Sequence, residues 1–191
     1  PMLRQSINEE KITAVIDTGD IVNQGYPQEG EAAGIFDGIE SRGVPYLFVQ
    51  GNHDKSSRHD TTLIERMSQI PNVTVLQPGV DQFTVAHVGD LTIAGVNDYM
   101  RWYGDDNQNN AAKQKPVVER FNKTFANQPP DIAVSHEPAA SSNLINTGLT
   151  LAGHMHRDEV NGNHITNGTL TGGGIFGQND SIDVKDVSSV F

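Results

Sequence analysis

The sequence predicts an α/β fold, and three features carry that expectation. Residues 12–16 and 44–49 are short apolar runs on either side of an amphipathic stretch at 27–42. That strand–helix–strand order implies a parallel pair with a right-handed crossover. From residue 73 the rhythm changes to short β segments separated by turn residues. Several apolar runs also stop at residues able to ligate metals, and chemistry in open α/β sheets collects outside the carboxyl ends of strands.

Taken in order, residues 1–10 resemble the end of a helix, with Leu3 and Ile7 four apart. Residues 12–16 (Ile-Thr-Ala-Val-Ile) read as a buried strand running into Asp17-Thr18-Gly19-Asp20. Gly19 permits a sharp turn, so Asp20 either points its carboxylate over the sheet or caps a following helix. Residues 27–42 read as one helix with Ala32, Ala33, Ile35, Phe36 and Ile39 on its apolar stripe and Gly43 after its end. The strand at 44–49 leads into Gly51-Asn52-His53-Asp54, and residues 61–70 form a second helix closed by Pro71. Segments 73–76, 82–88 and 91–96 are β, with Gly89-Asp90 marking a hairpin.

Residues 98–115 are polar, rich in Asn and Gln, and read as a long surface loop. Trp102 and Tyr103 within it are a local anchor or part of a substrate wall. A helix at 117–127 precedes Pro129-Pro130. Strands at 132–134 and 149–152 end in Ser135-His136-Glu137-Pro138 and Gly153-His154-Met155-His156. Residues 165–171 and 182–187 close the fold around Gly172-Gly173-Gly174. No repeat or linker interrupts the 191 residues, enough for one domain burying roughly 70% of its unfolded surface.

A net charge of −11 without a dense Lys/Arg cluster argues against a nucleic-acid surface. It leaves an anionic substrate open, because bound cations would supply the local positive charge. With no cysteine there is neither a disulfide nor a thiolate metal site. No apolar run approaches the ~18 residues of a membrane span. The expectation is a soluble domain, cytoplasmic or tethered through a segment ahead of Pro1, of unspecified oligomeric state.

The strand ends carry Asp20, then Asn52 and His53, then His136, then His154 and His156. Any one of these is as readily a structural polar residue, and His154 and His156 could sit on alternate faces of a strand. Their recurrence at successive strand ends is what points to chemistry. Oxygen and nitrogen donors without sulfur suit Mn²⁺, Fe, Zn²⁺ or Ni²⁺. A bridging carboxylate with terminal imidazoles fits two ions about 3.5–4 Å apart.

In sequence order, Gly19-Asp20-Ile21-Val22-Asn23, Gly51-Asn52-His53-Asp54, His136 and Gly153-His154-Met155-His156 resemble the calcineurin-like metallophosphoesterase family. The resemblance spans almost the whole chain and looks closer to its bacterial phosphohydrolase and phosphodiesterase branch. It implies a two-sheet β-sandwich flanked by helices, and hydrolysis of a small phosphomonoester or phosphodiester by a metal-activated hydroxide. It further implies that Asp20 bridges two metals, that Asn52, His136 and His154 hold the second, and that His156 holds the first. His53 would face the substrate and Asp54 would support it. Apart from the resemblance, Lys55, Arg58, Arg101 and Arg157 lie on the site loops as candidate contacts for phosphate oxygens, and each taken singly reads more readily as solvated surface charge.

Two departures qualify the resemblance. The family opens with Asp-x-His on its first strand, and no such motif precedes Gly19-Asp20. A strand ahead of Pro1 is the expectation, since loss of a central strand exposes apolar sheet edge. A single-metal or non-enzymatic metal-binding module is the alternative. Asn23-Gln24 also stands where phosphoprotein phosphatases carry Asp-Arg, so Asn23 would orient His53 without adding charge.

Overall fold

The computed structural model describes residues 12–98 and 111–168. The expectations for residues 1–10, Arg101, Trp102, Tyr103, the glycine run and strand 182–187 lie outside those residues. Two sheets form the centre. The first has three parallel strands in the order β1 (Val15–Asp17), β2 (Tyr46–Phe48), β3 (Val73–Val75). The second has six strands: β4 (Ala86–Val88), β5 (Leu91–Val96), β6 (Ile132–Ser135), β7 (Leu149–Ala152), β8 (Glu159–Asn161) and β9 (His164–Thr166). Their spatial order is β4-β5-β6-β7-β9-β8. The Gly89-Asp90 hairpin joins β4 and β5 antiparallel, as the turn chemistry predicts.

The sheets pack face to face through Leu47, Val49 and Leu76 on one side and Ile93, Val134 and Leu151 on the other. On the outer face of the first sheet lie α1 (Pro27–Ala32), α2 (Ile35–Glu40) and α3 (Thr62–Met67), burying Phe36, Ile39, Leu63 and Met67. On the outer face of the second lie α4 (Ala111–Thr124) and α5 (Pro138–Ser141), with Val117, Phe121 and Ala140 in their core. The order helix, sheet, sheet, helix is the architecture the resemblance implies. Among the described residues no helix is long and apolar enough to cross a membrane.

Several elements differ from the sequence expectation for identifiable reasons. The helix expected at 27–42 is two helices, because Gly34 turns left-handed at φ 66° between them. The break lets Phe36 fold back until its ring lies where a Gly30 side chain would be, and Arg66 from α3 stacks on the same ring at 4.4 Å. The last part of the expected loop at 98–115 is helical, since α4 starts at Ala111 and continues through Pro116. Pro116 lacks an N–H and reads as a breaker, which hid that start. Buried Gln114 anchors the early turns by donating to Asp98 at 2.7 Å. Of the β segment expected at 82–88 only the last three residues form a strand, and α5 and β8 are additional.

Two glycines in the neighbouring short helices give a paired test. A Cβ on Gly38 meets nothing within 4 Å, whereas one on Gly30 would lie 2.5 Å from the Phe36 ring. Gly38→Ala is expected to stabilise the fold by about 0.5–1 kcal/mol. Gly30→Ala is expected to cost about 1–3 kcal/mol through overpacking. Chemical denaturation of both variants checks the opposite signs.

Candidate metal centre

The site is built where β1 and β2 of one sheet and β6 and β7 of the other end together. β1 leaves through Gly19 (φ 98°) and Asp20 (φ 65°), and β2 through Gly51-Asn52. A Cβ on Gly51 would lie 2.2 Å from Asp20 Oδ1, so glycine is required for the loops to touch. Asp54, fully buried, locks them together. Its Oδ2 accepts from the N–H groups of Asp20 (2.7 Å) and Gly51 (2.8 Å), and its Oδ1 from that of Val22 (3.1 Å).

His136 is the centre of the cluster. Its Nδ1 donates to the Thr18 carbonyl at 2.8 Å, which fixes the tautomer and presents Nε2 to the other donors. Around Nε2 lie Asn52 Oδ1 at 2.9 Å, His154 Nδ1 at 3.1 Å and Asp20 Oδ2 at 3.2 Å. The candidate ligand atoms of Asp20, His136 and His154 all fall within 4.8 Å of one another. Donors so concentrated, His136 buried and Asp20 and His154 half-buried, without sulfur, fit one divalent ion of the Mn²⁺, Fe, Zn²⁺ or Ni²⁺ kind.

The backbone supports the same conclusion. Among the described residues the non-glycine positions with positive φ are Asp20, His154 (66°) and His156 (52°). Each conformation costs of order 1–3 kcal/mol, and such strain concentrates at functional sites. Gly153-His154-Met155-His156 is therefore a loop beyond β7, and the alternate-face reading of a strand does not apply.

Electrostatics follow from the crowding. Burial works to raise the Asp20 carboxyl, but the His136 imidazole beside it prevails and brings it down to about 2. Burial opposes charge on His136 too, yet Asp20 holds its pKa up at about 10. His154 is lowered by burial and then by His136. Burial, with Asp20 nearby, raises Asp54 to about 7.

Other expected site residues fall around this centre. His156 is lowered by burial and feels Asp20, His136 and His53, but stands outside the tight group. His53 is held at both ends: its N–H donates to Asp20 Oδ1 (2.8 Å), and its Nδ1 lies 3.0 Å from the Asn23 carbonyl. The Asn23 contact to His53 is thus made by backbone. Arg157 is exposed and pairs with Glu159 at 3.2 Å, and Arg58 is exposed on the loop after Asp54. Lys55 is not a solvated charge: it is buried, its Nζ bonds the Asp98 carbonyl, and burial lowers its pKa. Asp17, the other carboxylate of the β1 exit, is engaged by Tyr46 and stays apart from the metal group.

Sequence reading missed Thr18, whose role is a backbone carbonyl with no side-chain signal. It also missed Glu29, which accepts from three backbone N–H groups of the 23–26 turn. Glu two residues after Pro27 is a helix-start signature that could have drawn attention to it.

A two-layer sandwich between helices gathers a carboxylate, an amide and imidazoles at its strand ends, a donor set of the kind that suits a divalent metal. The sequence pattern of the calcineurin-like phosphoesterases matches residues 2–158, and the chain belongs to that family. Its members bind divalent metals and are in general hydrolases acting on phosphoester bonds. One crystal structure superposes with a TM-score of 0.51 at 16% identity, over 87% of this chain and 82% of its own, a likeness that speaks for the fold. No curated protein matches the sequence.

A ligating imidazole must give up its proton, and His136 keeps one to about pH 10 in the ion-free protein. Mn²⁺ uptake at neutral pH is therefore expected to release about one proton per ion, with affinity rising as pH rises. Calorimetry in buffers of different ionisation enthalpy reads this, and Asp20→Asn is expected to weaken binding at least about tenfold.

Proposed function

We propose that this chain hydrolyses a small phosphomonoester or phosphodiester with divalent ions held by Asp20, Asn52, His136, His154 and His156. The observation that carries the reading is the convergence of ligand atoms around His136 Nε2, built from three strained or buried loops. Bound divalent ions activate water and offset charge on phosphoryl oxygens. Asp20 and Asn52 orient the ligand set from the first sheet, and His136 and His154 from the second. His53, with Nδ1 committed to the Asn23 carbonyl, has Nε2 as the atom to exchange a proton with the leaving oxygen. Asp54 holds the loop that carries Asn52 and His53. Arg58 and Arg157, both exposed on the site loops, offer positive charge to the remaining phosphate oxygens.

A second reading has one observation in its favour. Among the described residues a single tight group of ligands converges, and His156 stands outside it. A one-ion, non-enzymatic metal-binding module fits that count.

Turnover of p-nitrophenyl phosphate and bis-p-nitrophenyl phosphate with Mn²⁺ separates the two. The enzyme reading expects hydrolysis of one or both, lost in Asp20→Asn together with bound metal. His53→Ala is expected to keep the metal and lose about 10²–10⁴ in kcat. Bound Mn²⁺ with no turnover of either ester supports the module; undiminished turnover in His53→Ala contradicts the role given to His53.

A further inference from the structure

The loop that faces His53 is shaped by a carboxylate that no metal motif contains. Glu29, at the third position of α1, accepts from the N–H of Asn23 through Oε2 at 3.0 Å. It accepts from the N–H of Gln24 through both oxygens at 3.0 and 3.1 Å, and from that of Tyr26 through Oε1 at 3.1 Å. Only the Tyr26 bond belongs to ordinary helix capping. The bonds from the other two N–H groups, those of Asn23 and Gln24, reach back into the turn that carries the Asn23 carbonyl.

The geometry of one peptide unit connects Glu29 to His53. The Asn23 carbonyl and the Gln24 N–H belong to the same planar, trans peptide, so they point in opposite directions. Holding the N–H on Glu29 fixes the rotation of that plane and aims its oxygen at His53 Nδ1, 3.0 Å away. A carbonyl only accepts, so Nδ1 must carry the proton, and Nε2 becomes the nitrogen that exchanges one.

We propose that Glu29 is the positioning residue of His53, setting its tautomer and ring orientation through the Asn23–Gln24 peptide. This deepens the phosphoesterase reading and rests on it for the role of His53 in turnover. Glu29 touches neither ion nor substrate. Its effect passes through backbone, so the side chain of Asn23 can be neutral without loss of the contact.

The test is ¹⁵N-resolved imidazole NMR of the full chain loaded with Zn²⁺, with His53 assigned from His53→Gln, beside steady-state kinetics with Mn²⁺. Wild type is expected to show His53 as the Nδ1–H tautomer. Glu29→Ala is expected to show mixed tautomers, unchanged metal content and a 10–100-fold fall in kcat with little change in KM. Glu29→Gln keeps the helix cap and one acceptor oxygen for three N–H groups, so it is expected to fall between the two. It decides the matter if Glu29→Ala does not fold. Wild-type tautomer and kcat in the folded variants would overturn the proposal. A wild type without turnover would remove the phosphoesterase reading, while the tautomer measurement would still decide whether Glu29 sets His53.

Discussion

The buried carboxylate of Asp54 is the constraint on which the rest of the site depends. It takes three backbone N–H groups from two strand exits, Asp20 and Val22 after β1 and Gly51 after β2. Those bonds hold the two loops in contact at a place where glycine alone fits. Without them Asp20 and Asn52 would not approach His136, which comes from the other sheet. The bonds also explain the turned backbone at Asp20, because the strained φ presents its N–H to Asp54 and its carboxylate to the cluster.

The second sheet contributes in a complementary way. His136 is fixed from behind by the Thr18 carbonyl of the first sheet, so the candidate ligand of one sheet is supported by the other. Gly153 presses on Thr18, where a Cβ would fall 2.5 Å from its Oγ1, and this brings the His154 loop over the same point. The interior between the sheets is apolar, and the polar groups are confined to the strand ends that open from it. The strain at Asp20, His154 and His156 is sustained because this packed sandwich over-determines the loops.

Much of this was legible in the sequence. Short apolar runs ending in Asp20, Asn52, His136 and His154 are strong signals, because burial dictates the run and chemistry dictates the residue that ends it. The parallel pairing of β1 with β2 and the β4–β5 hairpin followed from connection length and turn residues. What stayed hidden was carried by backbone and by distant partners. Thr18 and Asn23 act through carbonyls that any residue provides. Lys55 looked like surface charge because nothing local announces that the Asp98 carbonyl, 43 residues on, will bury it. The break at Gly34 and the helical start at Ala111 were not legible, since the left-handed turn and the Gln114–Asp98 anchor are set by the folded chain.

The account stands on the claim that His136 Nε2 and the three donors around it share one cation. Anomalous diffraction from crystals of the Mn²⁺-loaded protein tests it most directly. The expected result is an anomalous peak about 2.0–2.3 Å from Asp20 Oδ2, Asn52 Oδ1, His136 Nε2 and a His154 ring nitrogen. Strong Mn²⁺ peaks elsewhere, with none among these four side chains, would contradict it.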